Sequence, residues 1–180
     1  MPAGGAADPV ARSASGGLVI GAMTPDDGPF VLDIYAQGIA TGIATFETVT
    51  PDWSRWDADH RVDCRLVARL DGRVVGWTAL SSYSRRAVYA GVAWESVYVD
   101  AAARGRGVGR ALLTALAPAS EEAGIWTLIA GVQAENSASL VLHKHAGFRR
   151  IGVQKRVGRD AAGVWRDVVL LERRNTAIGR

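Results

Sequence analysis

Apolar and polar positions fall along the chain in blocks whose period changes between helix-like and strand-like spacing. Leu18 to Ile20 opens a short strand, and Thr24-Pro25-Asp26-Asp27 then reads as a helix start. A hydroxyl caps it, and a proline stands where an N–H would be unpaired anyway. Phe30, Ile34, Tyr35 and Ile39 recur at helical spacing and stop near Gly42, which predicts a first amphipathic helix. Thr50-Pro51-Asp52 repeats the start signal before a short helix through Trp53 and Trp56. Arg65 to Leu70 and Arg73 to Leu80 are joined by Asp71-Gly72, a pair that accepts the positive φ angles of a tight hairpin turn. Val88 to Val99 reads as a longer strand with room for a bulge.

Gly107 to Ala123 sets Val108, Ala111, Leu112, Ala115 and Leu116 on one helical stripe. Pro118 removes a donor inside that stripe and is expected to kink or shorten the helix. Trp126 to Val132 is a continuous apolar run, read as a buried strand. Ser137 to His145 is a short helix ended by Gly147, and two last strands, Arg149 to Val157 and Val164 to Glu172, flank a turn containing Asp160 and Gly163. The order strand, two helices, three strands, helix, strand, helix, two strands predicts an α/β (α+β) domain with a mixed sheet.

A chain of 180 residues favours one core, here assigned to 18–174, between a flexible Ala/Gly/Ser-rich tail at 1–17 and a C-terminal tail at 175–180. With 48% hydrophobic and 22% charged residues, the composition is globular rather than disordered. Cys64 is the single cysteine, so there is no internal disulfide, and no Cys/His cluster suggests a metal. No apolar run reaches a membrane span, and the N-terminus lacks a basic segment followed by an apolar one, so a cytoplasmic protein without membrane contact is expected. The formal net charge is +3, with Arg104, Arg106 and Arg110 crowded in one segment and Arg173, Arg174 and Arg180 at the C-terminus. That concentration suggests a local anion site rather than a nucleic-acid stripe, and no nucleic-acid partner is expected.

The anion site is sharpest at Val97-Tyr98-Val99-Asp100 followed by Arg104-Gly105-Arg106-Gly107-Val108-Gly109-Arg110. A strand running through a glycine turn into a helix gathers unpaired backbone N–H groups at the positive end of the helix dipole, a place suited to a pyrophosphate. The glycines let the backbone approach the phosphates and the arginines add charge. Neither a Walker loop nor a dinucleotide fingerprint is present. Arg104-x-x-Gly107-x-Gly109 resembles the phosphate loop of the GCN5-related N-acetyltransferases (GNAT). Glu135-Asn136-Ser137-Ala138-Ser139-Leu140 and the Ala146-Gly147-Phe148 terminus resemble that superfamily's Asn-x-x-Ala/Ser helix and Gly-Phe ending.

Within the superfamily the chain is similar to the phosphinothricin, methionine sulfone and arsinothricin N-acetyltransferases. Thr41-Gly42-Ile43-Ala44-Thr45-Phe46-Glu47, Asp71 to Gly76, Glu95 to Val99, Leu142-His143 and Val164 to Leu170 carry the likeness, which extends over about Val19 to Arg173. The resemblance implies a GNAT fold of about seven mostly antiparallel strands with about four helices, and a homodimer. It also implies direct acetyl transfer from acetyl-CoA to the α-amine of a small amino acid such as phosphinothricin, methionine sulfone, methionine sulfoximine or arsinothricin.

On that basis Val97, Tyr98, Val99, Arg104, Gly105, Arg106, Gly107, Val108, Gly109, Arg110, Asn136 and Ser139 are expected to bind the co-substrate. Glu95 is the candidate base and His143 the group that protonates the leaving thiolate or orients Glu95 and water. Many phosphinothricin enzymes carry their acid one residue earlier, where this chain has Trp94. Only a bulge near Trp94 is then expected to turn Glu95 toward the thioester. Arg85 and Arg86 are expected to hold the substrate's acidic groups, with Phe46, Tyr83 and Tyr89 lining its pocket. A thioester route through Cys64 lacks an activating neighbour in sequence. The rivals are an acetyltransferase for protein N-termini or polyamines, and a non-catalytic acyl-CoA sensor.

Overall fold

Residues 17–175, 177 and 178 are described in a computed structural model of the chain. Most of the two expected tails, 1–17 and 175–180, lies outside the described residues.

Strand β1 (Leu18–Ala22) leads into helix α1 (Gly28–Ala40), and helix α2 (Trp53–Asp59) follows. The start signals act as read, with shifts. Thr24 opens a 3-10 turn, Pro25–Asp27, in which the Thr24 N–H donates to Asp27 Oδ2 at 2.8 Å before α1 begins. Asp52, rather than Thr50, caps α2 by accepting the Arg55 N–H at 2.8 Å. Asp27 is buried and bonded by Arg69 of the next strand, which pins the start of α1 to the sheet.

The hairpin β2 (Leu66–Leu70) and β3 (Arg73–Ser82) turns through Asp71 and Gly72, both at positive φ, 51° and 79°. Strand β4 (Val92–Val99) starts later than the apolar pattern suggests, because Ala87–Tyr89 winds into a 3-10 turn. Helix α3 (Val108–Glu122) then runs through Pro118 to Glu122, so the expected shortening does not occur. Strand β5 (Thr127–Gln133), helix α4 (Ser137–His145) and strands β6 (Arg149–Arg159) and β7 (Trp165–Arg174) follow among the described residues.

The seven strands form one sheet in the order β1-β2-β3-β4-β5-β7-β6. All neighbours are antiparallel except β4 and β5. That parallel pair is joined only at Val92–Thr127, Ala93–Leu128 and Trp94–Ile129, after which the strands part. On one face α1 and α2 cover a core of Val31, Ile34, Trp56 and Trp77, tied across by the Trp77 indole N–H to the Val31 carbonyl at 3.1 Å. On the other, α3 inserts Val108, Leu112, Leu113 and Leu116. Both faces are closed, so the splay between β4 and β5 is an opening in an otherwise sealed layer.

Candidate active site

The splay leads into a cleft of about 890 Å³. Its walls are β4 from Glu95 to Val99, β5 from Ala130 to Val132, the turn entering α3, the first turns of α4, and Thr41, Ile43 and Ala44 after α1. Because β4 has no β5 partner beyond Trp94, its outer edge is free to bond something other than protein there.

The turn into α3 is built for an anion. Asp100 caps a short 3-10 turn by accepting the Ala102 N–H at 2.9 Å, and Arg104 Nε donates to the Val99 carbonyl at 3.3 Å, which holds the end of β4 to the loop. Gly107 stands at the N-cap of α3 with φ at 81° and no side chain to offer. The first intrahelical bond is from Ala111 N–H to the Gly107 carbonyl, leaving the amides of Val108, Gly109 and Arg110 for a ligand. By contrast, the side chains of Asp52 and Asn136 cap α2 and α4. A Cβ built on Gly105 or Gly107 would meet nothing within 4 Å, so the loop is open on its outer side. Arg104, Arg106 and Arg110 are exposed and form no ion pair among the described residues. These features fit the pyrophosphate of a coenzyme A thioester.

Deeper in the cleft, Glu95 and His143 meet. His143 Nε2 lies 2.9 Å from Glu95 Oε2, and the two side chains are 3% and 1% exposed. The other ring nitrogen, Nδ1, is 2.8 Å from the Ser139 carbonyl and 3.2 Å from Ser139 Oγ. Burial opposes a charge on the ring. The hydrogen bond and negative charge of Glu95, with the Ser139 carbonyl, outweigh it, so the imidazole keeps its proton above its ordinary range. Glu95 Oε1 is buried without a partner among the described residues. A carboxylate with one oxygen held by an imidazole and the other unpaired is equipped to accept a proton in the cleft.

The expected bulge is absent. β3 and β4 pair without interruption from Gly76–Val99 to Ser82–Ala93, yet Glu95 lines the cleft. Simple alternation is enough. Ala93, Glu95, Val97 and Val99 share the face of α3 and α4, while Trp94 points to the opposite face, near the Tyr83 ring and Gly131.

Thr41, Ile43 and Ala44 belong to the segment between α1 and α2, which crosses the mouth of the splay. Its carbonyls are held from three sides: Ile43 by Asn136 Nδ2 at 3.4 Å, Ala44 by the Tyr98 hydroxyl at 3.4 Å, and Thr45 by Gln133 Nε2 at 3.1 Å. The Tyr98 ring packs between Tyr35 and Trp77, and burial pushes its phenol pKa far up, so it stays a neutral donor. Gly38 makes room for that ring, since a Cβ there would come within 2.6 Å of it. Gln133 was not singled out by the sequence. Its only signal is that a polar side chain directly follows the apolar run of β5.

Of the residues expected at the co-substrate, all line the cleft except Arg106. Ser139 is turned to His143, and Gly109 also serves packing, since a Cβ there would come within 2.9 Å of Leu142. None of the five expected substrate residues lines it. Tyr83, Arg85, Arg86 and Tyr89 lie on the exposed connection between β3 and β4, where Arg86 stacks on the Tyr89 ring and Tyr83 on Trp94, the face away from Glu95. Phe46 rests over Gly158 of β6. Cys64 is also outside the cleft: its thiol donates to the Ala119 carbonyl at 3.4 Å, and burial, with Asp63 nearby, pushes it up to about 11. Among the described residues, no group of three or more His, Cys, Asp or Glu side chains could hold a metal, and no helix is long and apolar enough to cross a membrane.

Comparison with known proteins agrees with this geometry. Residues 36–148 match the acetyltransferase (GNAT) family model. A phosphinothricin N-acetyltransferase of Alcaligenes faecalis is 41% identical over 159 residues, covering 82% of this chain and 78% of that protein. A solved GNAT phosphinothricin acetyltransferase from Sinorhizobium meliloti, in complex with AcCoA, superposes with a TM-score of 0.80 at 26% identity, covering 90% of this chain and 92% of that one. A solved ribosomal-protein-alanine N-acetyltransferase from Brucella melitensis gives 0.81 at 31% identity, covering 87% and 99%. With the splayed parallel pair, the uncapped glycine turn and a family model matched over most of the sheet, the chain belongs to the GNAT family of acetyltransferases.

Proposed function

We propose that the protein transfers the acetyl group of acetyl-CoA directly to the α-amino group of a small amino acid or analogue of the phosphinothricin kind. The observation that carries this reading is the buried Glu95–His143 pair, set in the same cleft as the open anion turn. In this reading the pyrophosphate lies over Gly105 to Arg110 and the pantetheine arm runs along Val97 to Val99, bonded to the free edge of β4. An α-amine, with a reference value of about 8 at a chain terminus and higher in a free amino acid, arrives mostly protonated at neutral pH. Glu95 takes one proton, directly or through water, and the nitrogen attacks the thioester carbon. Backbone N–H groups of β4 hold the developing oxyanion. His143 keeps Glu95 in place, and the thiolate leaves with the nitrogen's second proton.

The test is free-CoA release with phosphinothricin, methionine sulfoximine, arsinothricin and spermidine side by side, together with a peptide bearing an N-terminal alanine. Rapid release with the first three and little with spermidine or peptide is expected. The name of the Brucella structure favours transfer to a protein N-terminus as a second reading, and preference for the peptide would establish it over ours. Binding of acetyl-CoA without release to any amine would make the protein a sensor. The reading includes a homodimer, which sedimentation at micromolar concentration checks as a species near twice 19.1 kDa.

A further inference from the structure

Ser139 approaches one ring nitrogen of His143 with two atoms of opposite hydrogen-bonding character. Its carbonyl oxygen, 2.8 Å from Nδ1, can only accept, while its hydroxyl, 3.2 Å away, can donate. No other hydrogen bond involves that hydroxyl among the described residues. We propose that Ser139 is a positioning residue that stabilises both proton states of the Glu95–His143 pair, its carbonyl holding the protonated pair and its hydroxyl the deprotonated, base-competent one. This rests on the reading of Glu95 as the proton acceptor.

With a proton on Nδ1 shared to the carbonyl, the 2.9 Å contact between Nε2 and Glu95 Oε2 needs a second proton, or a lone pair would face an anionic oxygen. That is the pair in its protonated form. Adding the amine's proton to it would leave a net positive charge in a site where both side chains are almost wholly buried. The productive form has therefore lost one proton: Nε2–H donates to the Glu95 carboxylate and Nδ1 carries a lone pair. At 2.8 Å that lone pair would be repelled by the Ser139 carbonyl, and the Ser139 hydroxyl is the donor at hand to offset the repulsion. The ammonium then gives its proton to Glu95, the C–N bond forms as the C–S bond breaks, the nitrogen's second proton goes to sulfur, and the pair returns its extra proton to solvent.

The other groups around the ring do not perform this role. Glu95 is the charged group of β4 at the ring, and Tyr98, on the far face, is a neutral phenol whose proton the Glu95 charge helps to retain. From β5 the cleft receives Ala130, Gly131 and Val132, none of them titratable, and from the turn and α3 it receives Arg104 and Arg110. Phe148 meets the ring edge-on at 5.0 Å, His145 is exposed, and Lys144, Arg149 and Arg150 border a separate groove.

Ser139→Ala removes the hydroxyl and leaves the carbonyl and the Asn136 cap, which takes the Ser139 backbone N–H, in place. Ser139→Thr keeps a hydroxyl. The measurements are the ring-nitrogen NMR titration of His143, its signal assigned with His143→Gln, and kcat/KM for the acceptor from pH 6 to 9. Losing one hydrogen bond to the neutral ring should raise the His143 midpoint and the acid limb by about one pH unit, a tenfold change. Threonine should restore both. A midpoint and limb unchanged in Ser139→Ala would overturn the proposal, and so would a raised KM for acetyl-CoA without a pH shift, which would make the hydroxyl a co-substrate contact. The NMR midpoint reads Ser139 even if no amino acid proves to be a substrate, so the two readings fail separately.

Discussion

Glu95→Gln is the substitution that most directly tests the chemistry of the cleft. It keeps the side chain's shape in a position that is 1% exposed, and its amide can donate to His143 Nε2 across the existing 2.9 Å, so the ring stays neutral with Nδ1–H on the Ser139 carbonyl. What disappears is the proton acceptor, because a carboxamide oxygen does not protonate near neutral pH. Glu95 Oε1 already lacks a partner, so the variant creates little new polar cost and its melting temperature should stay close to that of the parent. Removing a general base costs about 100-fold or more in kcat, or about 2.7 kcal/mol on the barrier. The assay is CoA thiol release at saturating acetyl-CoA between pH 6 and 9, with His143→Ala and the double variant beside it. Because the two groups are in contact, the double variant should fall little below Glu95→Gln alone. A Glu95→Gln enzyme with near wild-type kcat and the parent's pH profile would remove Glu95 from the mechanism, and a larger defect in His143→Ala would move the base there.

Gly107→Val should raise KM for acetyl-CoA and, because φ is 81° at that cap, also cost on the order of 1–2 kcal/mol of stability; an unchanged KM in a folded variant would detach the phosphates from this turn. With its thiol pushed up to about 11, Cys64 should react only slowly with iodoacetamide at pH 8, and Cys64→Ser should keep full acetyl transfer. Fast alkylation with loss of activity would revive a thioester intermediate. Gln133→Leu leaves the Thr45 carbonyl without its donor, at about 1–3 kcal/mol, so amide exchange over residues 42–50 should quicken several-fold and KM for the amine should rise more than KM for acetyl-CoA. Exchange at the parent's rate would show that the segment is held by other means.

Much of this architecture is legible in local signals. Asp71-Gly72, the stripe of α3 and the strand-glycine-helix passage through Val99 to Gly107 each express a rule that depends on neighbours in sequence. The misreadings arise where distant parts decide. Alternation from Ala93 to Val99 already places Glu95 on the face of Val97, and the bulge was required only by a register carried over from relatives with the acid one residue earlier. Residues 88–91 look strand-like by composition, yet Ala87–Tyr89 closes a tight turn. Arg85 and Arg86 have the right charge for an acidic substrate, but no local pattern tells which side of the sheet the nine-residue connection between β3 and β4 will reach. The approach of Gln133 to Thr45 spans 88 positions, and nothing in either segment alone announces it.

The three ties on Ile43, Ala44 and Thr45 have an evolutionary consequence. Every donor comes from the scaffold, from Asn136, Tyr98 and Gln133, and every acceptor is a main-chain carbonyl. A mutation of Ile43 or Ala44 can therefore reshape the wall of the cleft without removing an anchor, whereas a mutation of any donor releases the wall whatever its sequence. The side chains that line the cleft here and the groups that anchor the segment are separate sets of residues, so the lining can change while the frame beneath it is held by its own packing.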